Sequence, residues 1–178
     1  KNNDLYYELG QVYLAKGDTK KSNKAFKEVI EQVPPTDDAI RNLAMRFEKD
    51  ALLDNAIATY DKAKSFNKEM PYAYAEELAV LYGKKGDQEK AIASLLDLYI
   101  SVPEKSEMVK GTLLRLLDNP DKMQQFQKKI VKLTEENVAV IAYPDLLAWL
   151  YMQQKYYEKA YQQIMAIDIK MDEQGRRV

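Results

Sequence analysis

Neither cysteine nor histidine occurs among the 178 residues of this chain. The first absence excludes a disulfide framework, a thiolate nucleophile, iron–sulfur ligation and thiolate zinc sites. The second removes the commonest metal ligand and general base. Glycine and proline are scarce, at six residues each. Most of the glycines fall at helix-crossing or turn positions, so no glycine-rich loop is left to cradle a phosphate. The longest apolar run, Leu146 to Met152, is far short of the roughly 18 residues a membrane-spanning helix needs, and no direct membrane insertion is expected. An excess of charge is missing as well: 27 basic residues face 28 acidic ones, for a net charge of −1. Such a chain has no broad attraction for phosphate backbones, and no nucleic-acid partner is expected.

The carboxylate pairs that remain do not converge. Asp37-Asp38, Glu76-Glu77 and Glu135-Glu136 are neighbours in sequence, and adjacent residues on a helix point in different directions. No loop carries the spaced oxygen ligands of a calcium site. The expectation is a protein with no catalytic residues, no metal site and no cofactor. The thirteen tyrosines raise the question of base stacking, which also needs a basic groove. Here Arg41, Lys84 and Arg115 are interleaved with Glu48, Glu76, Asp118 and Asp145.

What the chain has is a repeat. Leu9-Gly10-x-x-Tyr13, Lys16-Gly17-Asp18, Ser22, Phe26, Val29 and Pro34 recur as Leu78-Ala79-x-x-Tyr82, Lys85-Gly86-Asp87, Ala91, Leu95, Leu98 and Pro103, 69 residues later. Midway stand Leu43-Ala44-x-x-Phe47, Ala56, Tyr60 and Ala63, and further on Leu147-Ala148-x-x-Tyr151, Ala160, Ile164 and Ile167. Apolar residues inside each unit follow the helical period, as in Leu78, Leu81, Tyr82 and then Ile92, Leu95, Leu96, Tyr99. Each unit therefore reads as two helices. Gly17 and Gly86 stop the first helix, Asp18 and Asp87 cap the second, and Pro34, Pro35, Pro71 and Pro103 punctuate the units.

This pattern resembles the tetratricopeptide repeat, an antiparallel helix pair of about 34 residues. The resemblance implies an all-α fold, a right-handed α-solenoid of about five such pairs in one domain. The units run over residues 3–36, 37–71, 72–106, 107–140 and 141–174, with 175–178 opening a possible further unit. The family places small residues where the helices cross, here Gly10, Ala44, Ala79, Ser22, Ala56 and Ala91. The fourth unit departs from this: Leu114 and Phe126 occupy the small positions and Asn119-Pro120 replaces the glycine turn, so it is expected to be distorted. Without an initiator methionine or polar caps at its ends, the chain is expected to be a segment of a longer array. A homodimer through the uncapped ends is the alternative.

The resemblance also implies a concave groove for peptide ligands, lined by a stripe on the first helix of each unit. The residues so placed are Tyr7 and Gln11, Arg41, Asn42 and Met45, Glu76 and Val80, Arg115, and Trp149 and Met152. Trp149, the single tryptophan, leads as a hot-spot candidate, with packing against a neighbouring unit as its other reading. The carboxylate clamp known in the family is not reproduced. Its positions hold Tyr7, Gln11, Asn42, Ala73 and Glu77, of which Asn42 alone agrees, and Glu77 would repel a terminal carboxylate. The expected function is a non-catalytic scaffold or adaptor that binds a peptide or protein segment in the groove. The alternatives are an assembly module using the array's ends or convex face, and the regulatory array of a longer enzyme or sensor. Lysine-rich, cysteine-free composition and similarity to long bacterial arrays lean towards an extracytoplasmic bacterial protein.

Overall fold

The computed structural model describes residues 2–66 and 73–173. The boundary residue Pro71, the start of the third unit at 72 and the possible further unit at 175–178 lie outside the described residues. Within them the chain is all-α, with no strand. Ten helices follow one another: α1 (Asn2–Ala15), α2 (Thr19–Glu31), α3 (Asp37–Lys49), α4 (Leu53–Lys64), α5 (Ala75–Lys85), α6 (Gln88–Ser101), α7 (Ser106–Leu116), α8 (Pro120–Glu136), α9 (Ala142–Gln153) and α10 (Tyr157–Glu173). A short 3-10 turn, Pro103–Lys105, precedes α7. The chain divides into two compact units, Lys1–Asp97 and Leu98–Val178, which are described separately.

In the first unit, α1 packs on α2, α3 on α4, and α4 also on α2 and α5. The α1–α2 crossing shows why a small residue is needed. A Cβ added to Gly10 would come within 2.4 Å of the Phe26 ring, and the fully buried Ser22 hydroxyl donates to the Gly10 carbonyl at 3.0 Å. Ala44, Ala56, Ala79 and Ala91 are likewise buried, as their small-residue assignment requires. Phe26, Phe47 and Tyr7 close over the crossing, with ring centroids 5.0 to 5.8 Å apart and the two phenylalanines edge to face, a geometry that suits the ring quadrupoles. Val29, Ile30, Ile40, Leu43, Tyr60 and Leu78 extend this core towards α5.

The second unit is built on Val109, Leu113, Phe126, Ile130, Leu146, Leu150 and Ala160, all buried, with α9 packed on both α8 and α10. Asn119 caps α8 by accepting from the Lys122 amide at 3.0 Å, and Pro120 occupies the first helical position, where its missing N–H leaves no bond unmade. The position expected to distort the fourth unit can be located on α7. Leu113 is fully buried, whereas Leu114, standing where the other units have a small residue, is exposed.

The turns hold a regularity that the residues only half reveal. Left-handed backbone occurs at Tyr74 (φ 65°), just ahead of α5, and within the turns at Gly17 (φ 75°), Ala51 (φ 58°), Gly86 (φ 80°) and Lys155 (φ 62°), the last four at intervals of 34, 35 and 69 residues. The interval of 69 skips the fourth unit, where α8 starts from the extended Asn119 at φ −143°. A Cβ is strained in the left-handed region, so Ala51 and Lys155 are held there by the repeat and not by their own preference.

Two expectations follow for stability. Gly10→Ala should destabilise the chain by about 1–3 kcal/mol through overpacking against Phe26, and Ala51→Gly should stabilise it by roughly 0.5–1 kcal/mol, the strain relieved less the entropy added. Urea melts followed by circular dichroism measure both; a neutral Gly10→Ala would contradict the crossing geometry.

Candidate interaction groove

The first unit holds the most developed candidate site. Arg41, Met45 and Glu48 project from one face of α3, and Glu76, Glu77, Val80 and Leu81 from the facing side of α5; with Tyr60 of α4 they enclose a cavity of about 310 Å³. Periodicity explains the set, because residues four and three apart share a helix face. Tyr60 and Leu81 are buried and form the floor. Met45 and Val80 form the walls and remain 58% and 46% exposed, although nothing solvent-facing requires an apolar side chain there. Four of the residues named from the sequence, Arg41, Met45, Glu76 and Val80, are thus brought together.

Ion pairs fix the rim. The Arg41 guanidinium donates to Asp37 at 2.8 Å, also pairs with Glu77, and lies over the Tyr74 ring 5.3 Å from its centroid. Lys84 spans from α5 to Glu48 on α3 at 2.5 Å. The bond from Arg41 holds the Asp37 carboxyl below its ordinary range, and the same pair pushes the Arg41 guanidinium up. Burial raises the Tyr60 phenol, so it stays neutral on the cavity floor. Glu77, read from the sequence as repelling a carboxylate, is engaged with the one arginine at hand.

The other candidates are placed differently. Tyr7 is only 3% exposed: its ring belongs to the core, its hydroxyl donates to Asp50 at 2.7 Å, and the Arg46 guanidinium stacks on it 3.9 Å from the centroid. Its place is therefore in the packing beneath the groove and not on an open surface. Gln11 donates to the same Asp50 oxygen at 2.6 Å. Asn42 is exposed and lines a separate cavity of about 400 Å³ with Asp4, Leu43 and Arg46. In the second unit Arg115 is exposed and donates to Thr112 at 3.0 Å, Met152 is exposed, and Trp149 is half-buried. Asp145, one turn before Trp149, accepts from the buried Tyr99 hydroxyl, so that part of α9 is committed to packing.

Sequence reasoning missed Tyr60 and Leu81 as site residues because both carry the packing motif, and one side chain can serve the core with its body and the groove with its edge. It also missed Asp50, which has no periodic signature and acts only through bonds from residues about forty positions earlier.

A succession of antiparallel α-helix pairs, with an apolar-walled groove and no metal-ligating group of acids among the described residues, defines a helical-repeat protein. Residues 4–32, within the α1–α2 pair, match the family model described as the tetratricopeptide repeat. None of the curated proteins matches the chain in sequence. Among solved structures it is similar to MamA from Desulfovibrio magneticus RS-1, with 12% identity, coverage of 97% of this chain and 96% of that one, and a TM-score of 0.44. It is also similar to Pseudomonas aeruginosa PilF, with 22% identity, coverage of 93% and 75%, and a TM-score of 0.44. The tetratricopeptide fold is in general a protein–protein interaction scaffold, and its members are typically non-catalytic. No helix among the described residues is long and apolar enough to cross a membrane.

The Tyr7–Asp50 bond has a consequence for pH. Burial and the bond to Asp50 raise the Tyr7 pKa from 10.0 to about 12. The folded state then holds a proton that the unfolded state releases, and the associated stability is complete below pH 10 and lost as pH rises towards 12. Tyr7→Phe should cost on the order of 1 kcal/mol at pH 8 and should flatten the decline as pH rises from about 10 towards 12. Urea melts across that range test this; an unchanged slope would mean that Tyr7 is not the group responsible.

Proposed function

We propose that this chain is a non-catalytic adaptor that holds a peptide or protein segment in the groove between α3 and α5. The observation that supports this most directly is the pair Met45 and Val80, two exposed apolar side chains facing each other across a cavity with a buried floor. A segment seated there covers apolar surface that the fold leaves open, gaining roughly 25 cal/mol for each Å² removed from water. The groove continues the family's use of first-helix stripes. The dimensions fit one or two side chains of the ligand, so affinity would come from several such contacts along a segment.

A second reading is favoured by a specific observation on α10. Tyr157, Tyr161, Ile164, Met165 and Ile169 recur at helical spacing and are all exposed, which supports an assembly role, including contact with a second copy, through this helix. On α1, Leu9 is 37% exposed, whereas its counterparts Leu43, Leu78 and Leu147 are buried.

Site-specific photocrosslinking separates the two readings. A photoreactive residue replacing Met45 in cells of the source organism should crosslink to a partner polypeptide, and the same residue replacing Tyr161 should not. Crosslinks from Tyr161 alone would move the function to α10.

A further inference from the structure

The charge around the cavity says more about its occupant than the apolar walls do. Asp37, Glu48 and Glu77 stand against Arg41 and Lys84, an excess of one carboxylate before Glu76 is counted on the same wall. Both cations are already matched, Arg41 by Asp37 and Glu77, and Lys84 by Glu48. An anionic ligand would have to break these pairs to find a donor. A cationic side chain meets carboxylate oxygens that retain lone pairs, since each carboxylate offers about four acceptor sites. The Glu48 and Glu77 side chains are 32% and 25% exposed, open enough to accept a further donor and sheltered enough that water screens it incompletely.

We propose that the α3–α5 cavity selects a peptide segment bearing a lysine or arginine next to an apolar residue. The apolar side chain lies between Met45 and Val80, and the cation is held by Glu48 and Glu77. The long stem of a lysine or arginine suits the arrangement, because its methylenes run along apolar walls while the charged head reaches the rim. This inference rests on the groove reading above and names its ligand chemistry, which is opposite in sign to that of a carboxylate clamp.

The test is selection from a random-peptide phage library on the whole chain, followed by fluorescence anisotropy of the enriched peptides at low and high salt. Three proteins are compared, each first checked for wild-type helicity and melting: wild type, the Glu48→Gln, Glu77→Gln double variant, and Val80→Lys, which places a cation in the cavity. The expected result is enrichment of peptides with a lysine or arginine beside an apolar residue, bound roughly 5- to 30-fold more weakly by the double variant and lost with Val80→Lys. Peptides that are lost with Val80→Lys but are acidic, or are bound equally by the double variant, would overturn the cation preference and leave the groove reading standing. Peptides bound equally by Val80→Lys, or enrichment of none, would overturn both.

Discussion

The structure depends on how closely two helices can cross. At Gly10 the α1 backbone meets the Phe26 ring at a distance that leaves no room for a methyl group, and the Ser22 hydroxyl secures the contact by donating to the carbonyl of that same glycine. A tight crossing turns each pair of helices into a narrow unit with one side for its neighbours. The aromatic cluster of Tyr7, Phe26 and Phe47 then ties the first pair to the second. The groove follows from this arrangement. Because Leu43, Ala44 and Phe47 face inwards, Arg41, Met45 and Glu48 must face outwards on α3, and the same logic on α5 turns Glu76 and Val80 towards them. Function here is carried by the face that packing does not use.

That economy decides what could be read from residues alone. Small residues at the crossings, left-handed glycines at 17 and 86, capping aspartates at 18 and 87 and the Asn119-Pro120 helix start each have a local chemical reason, and all are found where the sequence predicts them. Ala51 and Lys155 were illegible because tertiary packing imposes a backbone conformation their own side chains disfavour. Tyr7 was misplaced for a related reason. The stripe that lines the groove on α3 and α5 carries an aromatic ring on α1, and the apolar space around Phe26 and Phe47 draws that ring inwards while the hydroxyl finds Asp50. A stripe gives direction around a helix axis but not the depth of a side chain. Leu114 shows the converse: its position at a family small-residue site is legible in the sequence, whereas its exposure is not.

The rim of the groove combines order with the capacity to rearrange. Its ion pairs lie between side chains 32% to 61% exposed, such as Arg41 with Asp37 and Lys84 with Glu48. Pairs of that kind contribute little to stability, but they position side chains, and their carboxylates keep lone pairs that an incoming cation can share without displacing Arg41 or Lys84. Arg41 is further oriented by the Tyr74 ring, which favours one rotamer of a long side chain. In the second unit the corresponding polar groups are engaged locally, Asp145 by Tyr99 and Arg115 by Thr112.

Methyl NMR of the methionines tests the central claim most directly, because Met45 lies in the groove, Met152 on α9 and Met165 on the outer face of α10. Spectra would be recorded as the partner segment identified by crosslinking is titrated into the chain. Occupancy of the groove predicts that the Met45 methyl shifts and saturates while Met165 does not move. A saturating shift at Met165 with Met45 unchanged would contradict the account and place recognition on the exposed face of α10.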